Sequence, residues 1–310
     1  MTKSCSATHK FASKLLNGIG AVALTVALAG TANAASCDSN CLDNMMQQVL
    51  RQMVLHQPGD LRFAPGAVIV ENAVRSDDQH GSWLNLEKIR SGQTFADPST
   101  GQVAYYGAAD TSYGLSALFI RLKVADGAIT EQEIFSKGGE PPAPAAPGAT
   151  PAPKPDYSGL LEPDILYTAV VPPDRRENRA ALIATVHTYL LGIGKHDGSI
   201  PSFSYRCDRY SAGSKFTDNP AVPASRGGGT CATALNGLKG QMPVNIRTPI
   251  VDEKLGIVVA FFIIPHGERK VQGSTNVAEV FKIVDGKIRS IEEFGGGGKY
   301  PPTSGFPDES

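Results

Sequence analysis

Two stretches of sequence decide the fold: LFIRLKVADGAITEQEIFSKGG, from Leu118 to Gly139, and AEVFKIVDGKIRSIEEFGGGG, from Ala278 to Gly298. In each stretch a run of alternating apolar and polar residues leads into an Asp-Gly pair, and a second alternating run follows it. Alternation is the period of a β-strand, and Asp-Gly favours the tight turn of a hairpin. Each stretch therefore predicts an antiparallel β-hairpin.

The two hairpins mark two copies of one domain. When the two sequences are aligned at their Asp-Gly pairs, Glu133 aligns with Glu292 and Phe135 with Phe294. Each half also opens with an amphipathic helix, CLDNMMQQVLRQMVLH or NRAALIATVHTYLLGI, and has a turn and a strand before its hairpin. The same order of elements in both halves predicts a tandem repeat.

The copies differ in three segments. In the second half, DILYTAVV predicts an extra short strand, and residues 211–237 form a Gly- and Ser-rich insertion. The tetraglycine at 295–298 follows the last predicted strand, and we interpret it as a flexible exit.

A proline-alanine segment separates the halves. The sequence KGGEPPAPAAPGATPAPKP, residues 137–155, contains seven prolines and is typical of a semi-rigid extended spacer. The predicted organisation is a first domain at 35–136, a linker at 137–156, a second domain at 157–299 and a tail at 300–310. Each domain is expected to be α+β, with a curved antiparallel sheet around its helices.

The first 34 residues have the pattern of a secretory signal peptide. Lysines precede an apolar run from Leu15 to Ala29, and small residues follow at Ala32 and Ala34. The run is too short and too interrupted for a membrane span. We therefore expect cleavage after Ala34 and a protein that is periplasmic or secreted. The formal net charge of −1 argues against nucleic acid as the main partner.

Four cysteines remain once Cys5 leaves with the signal peptide. An even number agrees with an oxidising compartment, although four cysteines allow three pairings. We favour Cys37 with Cys41 and Cys207 with Cys231, because the second bridge would hold the insertion. Zinc is the alternative, but no His or second Cys pair lies at ligand spacing, so no metal is expected.

The terminal hairpins FKIVDGKIRSIEEF and IRLKVADGAITEQEIF resemble those of the nuclear transport factor 2-like superfamily, as does RFAPGAVIVENAVRSDDQHGSW in the first half. This is the cone fold of SnoaL-type polyketide cyclases and ketosteroid isomerases. The resemblance covers most of both halves but not the linker. It implies two cone domains in tandem, with a ligand held between sheet and helices, and cones that dimerise through their sheets. The paired aspartates of the scytalone-type dehydratases are not evident.

The resemblance implies a cofactor-independent lyase or isomerase that acts by acid/base chemistry on a small, apolar, aromatic molecule. Some bacterial members of the superfamily cleave lignin-derived aromatic dimers. The chain has no nucleotide-binding or metalloprotease motif, which is consistent with chemistry that needs no cofactor. The alternative is a non-catalytic ligand-binding or scaffold protein of the cell envelope. We expect the two copies to form an internal pseudo-dimer, and a homo-oligomer remains open.

The densest polar cluster is FSYRCDRYSAG in the second half. As a strand it places Tyr205, Cys207 and Arg209 on one face, and Asp208 and Tyr210 on the other. We predict Asp208 as the acid/base and Tyr210 as the catalytic hydrogen-bond donor, with Tyr205 and Arg209 binding substrate. The alternative is a solvated Arg–Asp pair beside a disulfide.

In the first half, His80 and Tyr105 are predicted as catalytic residues, and Glu71, Asn72 and Trp83 as substrate-binding residues. A histidine near a pocket mouth suits general-base chemistry, and a buried tyrosine hydroxyl requires a partner. The alternatives are an exposed loop histidine and a core tryptophan.

His187 lies on the second predicted helix. Helical spacing places it beside Ile183, Leu190 and Leu191, so we predict that it faces the apolar side and contacts substrate. The alternative is a core histidine whose hydrogen bonds are satisfied within the protein.

Overall fold

The computed structural model describes residues 37–139, 155–162, 164–223, 227–237, 242–266, 273–298 and 302–306. The predicted signal peptide and most of the predicted linker lie outside the described residues. The described part consists of two similar, sheet-rich domains. The first contains α1 (Ser39–Leu55), β1 (Phe63–Glu71), β2 (Val74–Ser76), α2 (Ser82–Asn85), β3 (Leu86–Asp97), β4 (Gln102–Thr111), β5 (Gly114–Ala125) and β6 (Ala128–Lys137). The second contains α3 (Arg179–Lys195), β7 (Phe203–Ser211), β8 (Ser214–Lys215), α4 (Cys231–Gly237), β9 (Val244–Asp252), β10 (Ile257–His266), β11 (Gly273–Val284) and β12 (Lys287–Gly298).

Each domain has one six-stranded sheet with the same topology. The strand orders are β2-β1-β6-β5-β4-β3 and β8-β7-β12-β11-β10-β9. Neighbouring strands are antiparallel except for β1 with β6 and β7 with β12, which are parallel. The expectation of a purely antiparallel sheet is therefore wrong. The first strand of each sheet lies beside the last strand of a four-stranded meander and runs in the same direction as that strand.

The Asp-Gly hairpins form as predicted. Asp126 and Gly127 have φ angles of 51° and 68°, and Asp285 and Gly286 have 53° and 64°. Two successive residues with positive φ are characteristic of the type I′ turn, whose twist matches that of the flanking strands. The turns join β5 to β6 and β11 to β12.

The two opening helices also match the prediction, and they correspond turn for turn. Each has 17 residues and begins after a side-chain cap: Asp38 accepts a hydrogen bond from the Cys41 amide at 2.8 Å, and Asn178 accepts one from the Ala181 amide at 3.0 Å. The buried residues have the same spacing in both helices. They are Leu42, Met46, Val49, Leu50 and Met53 in α1, and Leu182, Val186, Tyr189, Leu190 and Ile193, together with Gly192, in α3.

Three details of the second domain differ from the sequence-based expectations. DILYTAVV contains a 3₁₀ turn, Ile165–Tyr167, instead of a strand, because the Asp164 side chain accepts a hydrogen bond from the Leu166 amide at 2.8 Å and caps that turn. The tetraglycine is part of β12, where it pairs with residues 274–277 of β11. The insertion contains the short helix α4, which we did not predict.

Both favoured disulfides are present. The Cα atoms of Cys37 and Cys41 are 5.2 Å apart, and those of Cys207 and Cys231 are 5.9 Å apart. The second bridge ties the start of α4 to β7 and so anchors the insertion. Two disulfides fit a secreted or extracellular protein. None of the helices in the described ranges is long and apolar enough to span a membrane.

The two sheets face each other across a shared apolar layer. The Phe119 ring of the first sheet lies 5.7 Å from the Phe261 ring and 5.4 Å from the Phe294 ring of the second. Polar contacts flank this layer; for example, the Thr100 hydroxyl donates to the Pro249 carbonyl at 2.8 Å. The opposite face of each sheet packs on its own long helix. Each sheet therefore has a helix-facing side and a side that faces the other domain.

Candidate functional site

A pocket of about 340 Å³ opens between the two domains. One wall comes from β4 of the first domain, another from β7 and β12 of the second, and the rest from the segment before α3. The lining residues are Tyr106, Gly159, Leu160, Glu162, Asp164, Tyr167, Tyr210, Gly213 and Glu292. The pocket thus combines three tyrosines with three carboxyl groups, a combination suited to a small aromatic ligand with polar substituents.

Glu292 is the buried carboxyl group of this pocket. It lies on the side of β12 that faces the other domain, and only 4 % of it is exposed. Its Oε1 accepts a hydrogen bond from the Gly213 amide at 3.0 Å. Burial raises the pKa of Glu292 to about 8, and the neighbouring Glu293 carboxylate adds to this effect. A carboxyl group with such a pKa can donate or accept a proton near neutral pH.

Three tyrosines line the pocket together with this carboxyl group. The Tyr106 and Tyr167 rings lie 5.8 Å apart at 75°, so they form two nearly perpendicular walls. The Tyr167 hydroxyl donates to Ser290 Oγ at 3.0 Å, whereas Tyr210 is half-buried at the pocket wall. Burial and the nearby Glu292 and Asp164 carboxylates raise the pKa of Tyr106 and Tyr167. These hydroxyls therefore keep their protons and act as hydrogen-bond donors.

The predicted polar strand is β7, and its residues divide between the two faces of the sheet as expected. Tyr210 lines the pocket. Asp208 is on the same face, but its carboxylate lies 2.7 Å from Lys215 Nζ and 3.6 Å from Arg289 Nη1, outside the pocket lining. The ion pairs correspond to the alternative interpretation of Asp208.

Arg209 lies on the other face of β7, whereas Tyr205 lies where the pairing of β7 with β12 is irregular, and neither residue lines the pocket. Tyr205 is fully exposed, and Arg209 is buried beneath α3. Arg209 forms an ion pair with Glu293, and the Tyr189 hydroxyl donates to Glu279 Oε1 at 3.2 Å. Thus the helix-facing side of the second sheet holds a buried polar cluster, which we call the inner cluster: Tyr189, Arg209, Glu279 and Glu293.

The inner cluster contains a second carboxyl group with an altered proton affinity. Burial raises the pKa of Glu279 to about 8, although the Arg209 guanidinium opposes this shift. Glu279 Oε2 is buried and has no hydrogen-bond partner among the described atoms. Since no described pocket reaches this cluster, we treat the interdomain pocket as the candidate site.

In the first domain, the predicted substrate-binding residues make internal contacts instead. Glu71 accepts hydrogen bonds from the Ser82 amide, at 3.0 Å to Oε2, and from the Ser82 hydroxyl, at 2.6 Å to Oε1. Trp83 Nε1 donates to Gln132 Oε1 at 3.1 Å, in the core below α1. These interactions hold α2 against the sheet.

Asn72 has the same kind of role. Its amide nitrogen donates to the Ser136 carbonyl at 3.2 Å, and its amide oxygen accepts from the Ser136 amide at 3.1 Å. Asn72 also has a positive φ of 48°, a conformation that asparagine tolerates better than most residues. The side chain therefore fixes the turn after β1 to β6.

The other predicted catalytic residues lie away from the pocket. The Tyr105 hydroxyl donates to the Ser91 carbonyl at 2.6 Å within the core of the first domain. His80 is exposed, and its Nδ1 lies 2.6 Å from the Asp77 carboxylate. The prediction that His187 faces the apolar side is wrong: it is exposed, because the buried stripe of α3 passes through Val186, Tyr189 and Leu190.

Sequence reasoning missed Glu292, Tyr106, Tyr167 and Asp164 as site residues. The repeat alignment already contained one signal, because it placed Glu292 on Glu133 and both lie in otherwise apolar hairpins. Alternation along β4 also places Tyr105 and Tyr106 on opposite faces of the sheet, and both side chains are buried. No pattern in the sequence indicated that the candidate site residues would meet between the domains.

A family model described as a domain of unknown function (DUF8021) matches residues 175–295. This range covers the second domain from just before α3 to near the end of β12, including Tyr210 and Glu292. It does not include Tyr106 or Tyr167. No curated protein matches the chain.

Proposed function

We propose that this chain is an exported, cofactor-independent enzyme whose two domains are tandem nuclear transport factor 2-like cones packed as an internal pseudo-dimer. Its substrate would be a small aromatic molecule bound in the interdomain pocket. The resemblance of the two hairpins, the repeated topology and the two disulfides support this proposal. The observation that carries it is the buried Glu292 carboxyl group beside three tyrosines in an open pocket.

In the proposed mechanism, Glu292 transfers the proton. At neutral pH the raised pKa leaves most of Glu292 protonated, so it donates a proton to a leaving group or carbonyl oxygen; the ionised fraction abstracts a proton. Tyr210 lines the same pocket, and its hydroxyl would stabilise negative charge that develops on a substrate oxygen; the Tyr106 hydroxyl, which donates to Gln93 Oε1 at 3.4 Å, would have to exchange this partner to do the same. Elimination, isomerisation and retro-aldol cleavage all use this pair of functions.

A second candidate function is ligand binding without chemistry. One observation favours it: the core below α1 in the first domain is filled largely by apolar side chains, as expected for a structural copy. Under this alternative the interdomain pocket still binds a small molecule, but Glu292 only shapes it. Turnover distinguishes the two functions.

The test begins with the mature protein and a panel of small aromatic and steroid-like compounds. Thermal shift detects binding, because a ligand that binds only the folded state raises the unfolding temperature. Product analysis of each hit then measures turnover. Hits that are converted support the enzyme, whereas hits that remain intact support the binding protein.

A pair of carboxyl-to-amide variants locates the chemistry. We expect Glu292→Gln to reduce turnover by about 10²-fold or more, the usual contribution of general acid–base catalysis. Glu87→Gln, at an exposed position of β3, is the matched control and should keep full activity. If Asp208→Asn loses activity and Glu292→Gln keeps it, the acid/base is Asp208, as the strand pattern first predicted.

A further inference from the structure

The interdomain pocket is lined by acidic side chains and by no basic ones among the described residues. Its lining includes carboxyl groups at three depths: Glu162 is exposed, Asp164 is half-buried and Glu292 is buried. None of the nine lining residues is a lysine or an arginine. Glu162 and Asp164 would repel an anionic ligand, whereas they would attract a cation, and a cation that reached the deeper Glu292 would favour the ionised form of this carboxyl group.

The nearest basic groups are engaged elsewhere or do not line the pocket. Lys215 forms an ion pair with Asp208, and Arg209 forms one with Glu293 on the opposite face of the sheet. Lys137 acts on Glu292 electrostatically but is not part of the lining, and its burial lowers its own pKa. Among the described residues, none forms an ion pair with Glu292.

The tyrosines supply the second element of cation recognition. Tyr106 and Tyr167 form nearly perpendicular walls, and Tyr210 adds a third ring. The face of an aromatic ring attracts a cation, and rings arranged around carboxylates recognise alkylated ammonium groups. The methyl groups of an alkylated ammonium group form no hydrogen bonds. Aromatic walls beside acidic side chains therefore suit it.

The repeat provides an internal reference. Glu133 is the counterpart of Glu292, and it receives 2.8 Å hydrogen bonds from both Arg121 and Arg247. The first-domain carboxylate thus has its cations built into the protein. At the equivalent position of the second domain a pocket is present instead of the two guanidinium groups.

We infer that the ligand of the interdomain pocket is an organic cation, an ammonium group attached to a small aromatic body. This inference rests on the proposed function, because it names the substrate class of the same pocket. The aromatic body packs on the tyrosines, and the ammonium group replaces the cation that Glu292 lacks.

Two isosteric probes test the inference by calorimetry: (3-hydroxyphenyl)trimethylammonium and 3-tert-butylphenol, which differ only in nitrogen or carbon at one centre. We expect the cation to bind at least about tenfold more tightly than the neutral probe, as is usual for a desolvated cation among aromatic rings. Equal or tighter binding of 3-tert-butylphenol would overturn the inference and leave the proposed aromatic site intact. Binding of neither probe would overturn both.

Two variants show where the probe binds. Tyr210→Leu should weaken binding of the cation at least about fivefold, because it removes one ring face from the pocket. Tyr113→Leu, in the exposed turn between β4 and β5, is the matched control and should bind as the wild type does. Equal effects of the two variants would show that the cation binds elsewhere and would contradict the assignment.

Proton linkage gives an independent readout. A bound cation favours the ionised form of Glu292, so binding at pH 7 should release protons, which calorimetry detects as heats that differ between buffers of different ionisation enthalpy. The other titratable groups that interact with Glu292 are Glu293, Lys137 and Arg209, and the three pocket tyrosines, Tyr106, Tyr167 and Tyr210. Glu292→Gln should abolish the proton release. If the release persists in Glu292→Gln, the cation does not contact this carboxyl group, and the inference fails.

Discussion

The two domains share the length of their long helices and the strand order of their sheets, yet equivalent positions carry different side chains. Four positions on the helix-facing side illustrate this difference. They are Val49, Ile69, Ile120 and Ile134 in the first domain, and Tyr189, Arg209, Glu279 and Glu293 in the second. On the side between the domains, Glu133 is paired with two arginines, whereas its counterpart Glu292 faces a pocket. The comparison shows that one topology accommodates apolar side chains in one copy and buried charged side chains at the equivalent positions of the other.

Arg209 is the cation of the inner cluster, so we expect the largest loss of stability when this residue is replaced. Arg209→Leu leaves Glu279 and Glu293 buried without a cation, and breaking a buried ion pair costs about 3–5 kcal/mol. Urea denaturation of the protein measures this loss. Ile69→Leu, at the equivalent position of the first domain, is the control and should cost less than about 1.5 kcal/mol.

Replacing the whole inner cluster with the equivalent side chains of the first domain should leave the stability unchanged or raise it. The variant Tyr189→Val, Arg209→Ile, Glu279→Ile and Glu293→Ile removes all buried charges together, which is often neutral or stabilising by about 1–4 kcal/mol. A strongly destabilised fourfold variant would mean that the two cores are not interchangeable and would break the comparison.

The two disulfides give the next largest difference between the domains. Cys207–Cys231 closes a loop with a sequence separation of 24, and Cys37–Cys41 one of 4. In the chain-entropy model, removal of the longer bridge costs about 3.5 kcal/mol and of the shorter one about 2 kcal/mol. Double Cys→Ala variants, compared by urea denaturation, measure both values. Equal losses would show that native-state packing outweighs loop length.

The two counterpart glutamates, Glu133 and Glu292, should differ in their contribution to stability. Glu133→Gln weakens two contacts to guanidinium groups and should cost about 2 kcal/mol, because charged hydrogen bonds contribute about 1.5–3 kcal/mol each and part of each is retained. Glu292→Gln removes a carboxyl group that the folded protein holds protonated and the unfolded chain ionises, so at pH 7 we expect this variant to be more stable than the wild type by about 3 kcal/mol. Denaturation of both variants in parallel tests the difference. If Glu292→Gln were less stable than the wild type, the result would contradict the assignment of the pocket carboxyl group as functional.

The elements of the fold were predictable because their signals are local. The Asp-Gly turns, the helix periodicity and the cysteine positions are features of short segments, and each formed as expected. The prediction of a strand at DILYTAVV was wrong because the Asp164 side chain caps a turn. Such side-chain-to-backbone hydrogen bonds compete with strand formation, and the apolar content of a segment does not reveal them. The parallel pairing of β1 with β6 was not predictable because it depends on how distant strands return to the sheet.

The site was less predictable, because its chemistry depends on contacts between the domains. Glu133 and Glu292 look alike in the sequence, but Arg247 of the second domain reaches Glu133 and not Glu292. Tyr210 was identified from strand alternation alone, since alternation determines the face. His187 was misplaced because α3 is apolar around much of its circumference, so its spacing did not specify the buried side.

The last expected difference is the sign of the pH dependence. Glu292 has a folded-state pKa near 8, above its ordinary value of 4.5, so the folded protein holds a proton that the unfolded chain releases as pH rises from 4.5 to 8. Wild-type stability should therefore fall across this window because of Glu292, by about 1.4 kcal/mol per pH unit. In Glu292→Gln this contribution disappears, so the variant gains on the wild type as pH rises.

Glu133 should behave in the opposite way. Burial alone would raise the pKa of this carboxyl group, but Arg121 and Arg247 outweigh burial and hold the pKa below 4.5. Its stabilising contribution is therefore complete above pH 4.5 and is lost only as pH falls through the lowered value. The deficit of Glu133→Gln should be constant from pH 5 to 9 and shrink in acid. If both variants followed the same pH curve, the two carboxyl groups would share one environment, and the structural contrast between the copies would be wrong.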